Sequence, residues 1–274
     1  MRNKPGRTAA AALLAILACA ALAATPAPAK RTAAHGGVSL TYDPALAREV
    51  RAETVPAAPL AEASEKPDGV YPEHVAFTLV GVDGPPADSG REPVLRVCPV
   101  ADYLKAFAVS PDYVSDAGKT LSDLRRLIRR RPAALKGNVP MLPFPDATEV
   151  FHARVKYLRF RGGSGVAYLT QAQQDDALIN NRQLSYAFRG LTDDGRFYIS
   201  ADLPARAAFL HPVNEVGAHE GYTLPLHPGG RRGRRRYAAY VERVRRKLER
   251  LPASGFTPRL DLYDELLSSL EIRK

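Results

Sequence analysis

Six histidines and three pairs of aspartates are the residues of this chain whose types could support catalysis or metal binding. His211, His219 and His227 recur at intervals of eight, with Glu220 beside the middle one. Imidazole and carboxylate together suit zinc. An interval of eight, however, fits no ligand spacing of a helical turn or a tight hairpin, so no metal centre is expected. Glu73 and His74 adjoin at the entrance to a strand-like run, where successive side chains point to opposite faces, and so do not form an acid–base pair. A pocket gathering His152 or His74 with a carboxylate would favour an enzyme, whereas a smooth sheet face without such a cluster would favour a binding module.

The acidic pairs have plainer duties. Asp193–Asp194 belongs to a turn ending in Gly195, and Asp261, with Asp264 close behind, caps a final helix. Asp175–Asp176 lies in the polar stretch 171–181 (QAQQDDALINN), which reads as a solvated connection with a lesser case for a ligand rim. Residues 162–165 (GGSG) fit neither the G-x-S-x-G nucleophile turn nor a phosphate loop followed by Lys-Ser/Thr. They join two strands and read as a hairpin turn, since phosphate would need a helix N-terminus there.

The sharpest charge feature is Arg231, Arg232, Arg234, Arg235 and Arg236. The chain carries 39 Lys+Arg and 29 Asp+Glu, a net +10. Residues 229–250 hold ten basic and two acidic residues (+8) and the N-terminal leader contributes +3, leaving about −1 for everything else. The basicity is therefore local. Two readings stand level: a surface for anionic lipid or an acidic envelope polymer, or a solvated linker. Nucleic acid is disfavoured because the chain carries an export signal.

That signal occupies residues 1–29. Arg2, Lys4 and Arg7 precede an unbroken apolar run over residues 9–24, followed by small residues and prolines. The run falls short of the roughly 20 residues of a transmembrane helix. Cleavage after Ala23 or Ala29 would release a secreted protein. Residues 16–19 (ILAC) resemble a lipobox, which would make Cys19 a lipid-bearing first residue, and this route stays open beside soluble secretion. Cys98 is then the one internal thiol, so no disulfide holds the mature chain. Its β-like surroundings make it a buried small hydrophobe. No residue pattern calls for a cofactor, and none specifies a protein partner.

Residues 30–36 read as a tether, and 37–274 as one domain. Strand patterns cover 38–42, 74–80 and 94–97. A helix is expected from a Thr120/Asp123 capping box, with Leu121, Leu124, Leu127 and Ile128 on its apolar face and Pro132 as its stop. Two hairpins follow, the second alternating Leu184, Tyr186, Phe188 and then Phe197, Ile199, Ala201 against polar neighbours. Its period of two implies one covered and one wetter face, with Phe197 and Ile199 buried and Tyr198 more exposed. Tyr237, Val241, Val244, Leu248 and Leu251 mark a helix, and Tyr263, Leu266, Leu267 and Leu270 the apolar side of the last one. The order of elements gives an α+β fold with a largely antiparallel sheet covered by helices.

Several phrases together resemble a family of uncharacterised bacterial exported proteins and lipoproteins: residues 37–44 (GVSLTYDP), 71–74 (YPEH), 155–158 (VKYL), 163–166 (GSGV) and 190–195 (GLTDDG). The likeness runs from about residue 37 to 204 and implies export without implying an activity. Residues 37–44 and 266–272 (LLSSLEI) also resemble the ends of PsbP-like domains, which implies an α/β sandwich. The expected function is an exported cell-envelope protein acting as a non-enzymatic accessory or binding module. The alternative is a secreted hydrolase whose site is assembled from residues distant in sequence.

Overall fold

The computed structural model describes residues 29–60, 69–83, 92–174, 177–212, 218–220, 222–223 and 230–273. Cys19, Ala23, Asp175, Asp176 and His227 lie outside the described residues.

Along the chain come β1 (Arg31–His35), β2 (Val38–Tyr42), β3 (Glu49–Val55), β4 (His74–Val80) and β5 (Val94–Pro99), then α1 (Val100–Ala106) and α2 (Pro111–Arg130). A second block holds β6 (Thr148–Glu149), β7 (Ala153–Phe160), β8 (Gly163–Thr170), β9 (Ala172–Gln173), β10 (Ser185–Thr192), β11 (Phe197–Pro204) and β12 (Arg206–Ala207). The last block holds β13 (Ala218–His219), β14 (Tyr222–Thr223), α3 (Gly230–Arg250), β15 (Phe256–Thr257), α4 (Leu260–Ser268) and β16 (Glu271–Ile272).

Seven strands form one sheet in the order β3-β4-β5-β11-β10-β8-β7, and every neighbouring pair is antiparallel. The fold is thus α+β with a largely antiparallel sheet, as the order of elements implies.

Both faces of the sheet are covered, which corrects the expectation of a wetter face. On one side Phe77, Leu95, Leu169, Tyr186, Phe188 and Ile199 share a core with the β1–β2 hairpin and with α3 and α4. On the other, Cys98, Tyr168, Ala187 and Tyr198 meet α1 and α2 through Tyr103, Phe107, Leu121 and Leu124. Ile199 is buried as expected, but Phe197 is only half-buried and Tyr198 is fully enclosed. Its hydroxyl accepts the Leu142 N–H (3.1 Å) and donates to the Leu142 carbonyl (3.2 Å). A tyrosine whose polar tip is satisfied can be buried whole.

Other boundaries shift for local reasons. Residues 31–35 are not a tether: Gly36 and Gly37, at φ 54° and 78°, make the two-residue turn that folds β1 back onto β2. Helix α2 begins nine residues before Thr120. Ser110 caps it by accepting the Tyr113 N–H, and Pro111 supplies the pre-set φ of a first helical residue. In α4, Asp261 is inside the first turn and held by Arg259, not at the cap position. Helix α3 starts at Gly230, two turns before the apolar stripe, so the arginine cluster is helical and not a linker.

The Gly-rich phrase is a packing device. Arg161 and Gly162 alone turn the β7–β8 hairpin, while Gly163 and Gly165 lie within β8. A Cβ at Gly163 would fall 2.2 Å from the Phe160 ring, and one at Gly165 would fall 2.4 Å from the Phe188 ring.

Candidate functional site

Strand β7 is one edge of the sheet, and its start is bent. Pairing with β8 skips between Ala153 and Lys156, and Arg154 sits at φ 57°. Such a bulge turns a strand away from regular pairing. The Arg154 N–H donates to Glu249 Oε2 (2.8 Å), and its guanidinium donates to the carbonyls of Glu249 (3.2 Å) and Leu251 (2.6 Å). The bulge thus fastens the sheet edge to the C-terminal end of α3. Between this edge, α3 and the segment after α2 lies a cleft of about 800 Å³.

All three sides contribute apolar lining: Leu135 from the segment after α2, Val150, Phe151 and Val155 from the sheet edge, and Ala238 and Val241 from α3. The polar groups are His152, Glu149, Gln173, Gln174, Tyr237, Glu242, Arg245 and Glu249. Most of them are already committed to one another. Arg245 and Arg246 clamp Glu242 (2.7 and 2.8 Å) and hold its carboxyl down to about 2. Glu249 accepts from Arg154, and Gln174 donates to Asp146.

Glu149 is the centre of the arrangement. Its side chain is 4% exposed and accepts three hydrogen bonds: from Tyr168 Oη (2.7 Å), the Val139 N–H (2.9 Å) and His152 Nε2 (3.0 Å). Burial alone would raise its pKa. The bonds from His152, Tyr168 and Val139, with the nearby Arg189 charge, outweigh burial and hold it below the usual carboxylate value. A carboxylate only accepts, so in the neutral ring Nε2 carries the hydrogen and Nδ1 keeps its lone pair. Among the described residues no group hydrogen-bonds that Nδ1. His152, 10% exposed at its side chain, lines the cleft.

Behind Glu149 lies a second cavity of about 260 Å³, lined by Arg189, Asp202, Ser185, Thr170 and Met141 among others; Glu149 lines both spaces. Arg189 is fully enclosed on β10. It donates to the carbonyls of Phe188 (2.9 Å) and Ala201 (2.8 Å) and to Asp202 Oδ1 (2.7 Å). Burial opposes its charge, but Asp202 outweighs that and keeps the guanidinium protonated. Tyr168 sits opposite Ala187 on the neighbouring strand, so Asp202, Arg189, Tyr168, Glu149 and His152 form a polar row crossing from the small cavity to the cleft.

The grouping of a histidine with a carboxylate in a pocket, which would favour an enzyme, therefore occurs at His152 and not at His74. His74 is buried and donates from Nδ1 to the Pro72 carbonyl (2.8 Å), and burial lowers its pKa. No described hydroxyl or thiol hydrogen-bonds His152, so nucleophilic triad geometry is not formed among the described residues. Cys98 is enclosed and burial pushes its thiol up to about 12, which leaves it inert.

The other candidates are dispersed. His219 accepts at Nδ1 from Tyr240 Oη (3.2 Å) and donates from Nε2 to the Phe209 carbonyl (3.0 Å), with the His211 ring 5.0 Å away. Both its nitrogens serve the fold, and no group of three metal-ligating side chains occurs among the described residues. In the stretch 171–181, Gln171 and Asn180 are buried and knit the loop through Leu178 and Gln183; Gln173 and Gln174 do reach the cleft. Arg231, Arg232, Arg234, Arg235 and Arg236 are exposed on α3, and none of them lines the cleft.

Glu149, Tyr168 and Arg189 carry no sequence motif that announces them. The Glu-x-x-His spacing of Glu149 and His152 just before a strand, and an arginine inside the apolar run of β10, were the available signals. No family model, curated protein or solved structure matches the chain.

Proposed function

We propose that the chain is an exported binding module whose ligand occupies the cleft between β7 and α3, with His152 as its polar anchor. The observation that carries this reading is the Glu149–His152 bond. It fixes one imidazole in a cleft lined about equally by polar and apolar groups and leaves Nδ1 as the unspent acceptor. A pocket of mixed lining whose other polar groups are largely committed suits a small amphipathic molecule that brings a hydrogen-bond donor. The basic stretch and apolar run at the N-terminus support export.

The test is a thermal-shift screen of small amines, alcohols and amphipathic acids, repeated on two variants. Ala238→Trp fills the cleft from an exposed helix position, and His152→Ala removes the anchor. Ligands of the cleft stabilise the wild type and lose that effect in both variants. Stabilisation that survives Ala238→Trp places the ligand elsewhere and rejects the reading.

The same bond favours hydrolysis as a second reading. An imidazole oriented by a carboxylate can draw a proton from a bound water. Turnover of aryl esters that disappears in His152→Ala would replace the binding module with a hydrolase.

A further inference from the structure

We propose that the first two turns of α3 dock the protein on an anionic lipid bilayer. The inference is independent of the ligand cleft and rests on how the basic residues of one helix are distributed. In the C-terminal half of α3 the cations are mostly partnered. Arg243 donates to the Glu220 carbonyl, Lys247 reaches the Glu220 carboxylate, and Arg245 and Arg246 clamp Glu242. In the N-terminal half Arg231, Arg232, Arg234, Arg235 and Arg236 are all exposed, and none makes an ion pair or hydrogen bond among the described residues.

Their position makes this costly within the protein. The N-terminus of a helix carries the positive end of the macrodipole and favours acids, yet the first turn of α3 has none. Five guanidinium groups there repel one another and the dipole. An outside anion relieves both.

The geometry selects a broad anionic surface. At about 1.5 Å of rise and 100° per residue, the five charges occupy about 8 Å of axis and fan over the side opposite the buried Tyr237 and Tyr240. With the helix lying on a layer of phospholipid headgroups, the central arginines face the layer and the long side chains at the flanks of the fan can bend down to it. Duplex nucleic acid offers phosphate charge of the same kind, so it is the competitor against which vesicle binding is measured. The basic and apolar leader brings the chain to a membrane during export. Ala238, one turn beyond Arg234, lines the cleft, so docking sets the cleft close to the headgroups.

The test is co-sedimentation of the mature chain with phosphatidylcholine vesicles, with and without phosphatidylglycerol, over a salt series. Binding should require phosphatidylglycerol and weaken steeply as the screening length falls to about 8 Å near physiological salt. Each Arg→Gln replacement among the five should reduce partitioning about fivefold, and all five together should reduce it to background. The five Arg→Lys replacements should retain binding. The five-Gln protein should melt no lower than the wild type, which separates lost binding from lost folding. The proposal is overturned if phosphatidylglycerol vesicles are not bound at low salt, or if the five-Gln protein still binds. Equal binding to pure phosphatidylcholine, or tighter binding to duplex DNA than to vesicles, also overturns it.

Discussion

Arg189 meets Asp202 at 2.7 Å across the β10–β11 ladder, two residues along β11 from its direct partner Ser200. The two ends of this ion pair have unequal surroundings. The arginine side chain is 2% exposed and the aspartate side chain 55%. The charge that cannot reach water depends on one that can. Such a pair contributes little by Coulomb attraction alone, but breaking it strands a buried cation.

Asp202→Asn should therefore destabilise the fold by about 1–3 kcal/mol, below the full cost of an uncompensated buried charge because the lost partner is half in solvent. Arg189→Met together with Asp202→Asn should recover part of that loss, since no charge is then left alone. Urea melts of the three variants give the comparison, and a double variant no more stable than Asp202→Asn would show that the pair is not coupled in this way.

Acid should act on this protein in two windows. The folded-state pKa of His74 is lowered by burial, so the unfolded chain takes up its proton first, and stability falls as pH drops below the ordinary 6.5. Glu149 is also lowered, but its contribution is intact above its ordinary 4.5 and is lost only as pH falls through the depressed value. His74→Gln should flatten the upper window and Glu149→Gln the lower one. Melting temperatures measured at half-unit steps of pH distinguish the two.

Glycines of β8 and its turn should respond differently to alanine. At Gly165 the added methyl meets the Phe188 ring at 2.4 Å and the Arg189 carbonyl at 2.6 Å. Gly165→Ala should cost at least about 1–3 kcal/mol, as expected of an overpacked core. Gly162 has open space but φ of +78°, so Gly162→Ala should cost only about 1–2 kcal/mol of backbone strain. Denaturant titration of both proteins tests the order, and a reversal would mean that the Phe188 ring and the β10 backbone can move aside.

The strand periodicity of β10 and β11 and the apolar stripes of α3 and α4 are legible in the sequence because local pattern alone sets them. What covers the sheet is not. Tyr198 and Tyr168 look like residues of a wet face, and only the Leu142 backbone and the Glu149 carboxylate, far away in the chain, make their burial possible. The start of α2 was obscured for a different reason. Ser110 and Pro111 signal the cap, but Thr120 and Asp123 offer the same chemistry one apolar face later. The polar row is hidden in the same way as the tyrosines. His152 is conspicuous by type, whereas Arg189 gains its role from a fold that places Asp202 across the ladder.

The bulge in β7 has a further effect on how copies of the protein coexist. An edge strand offers a row of free amides and carbonyls on which another chain can polymerise. Here the row is interrupted at Arg154, flanked by Lys156 and Arg159, and roofed by the end of α3. The opposite edge, β3, carries Glu49, Arg51 and Glu53 in alternation. Both borders thus carry features that oppose strand-to-strand growth, which works against the fusion of crowded copies into fibrils.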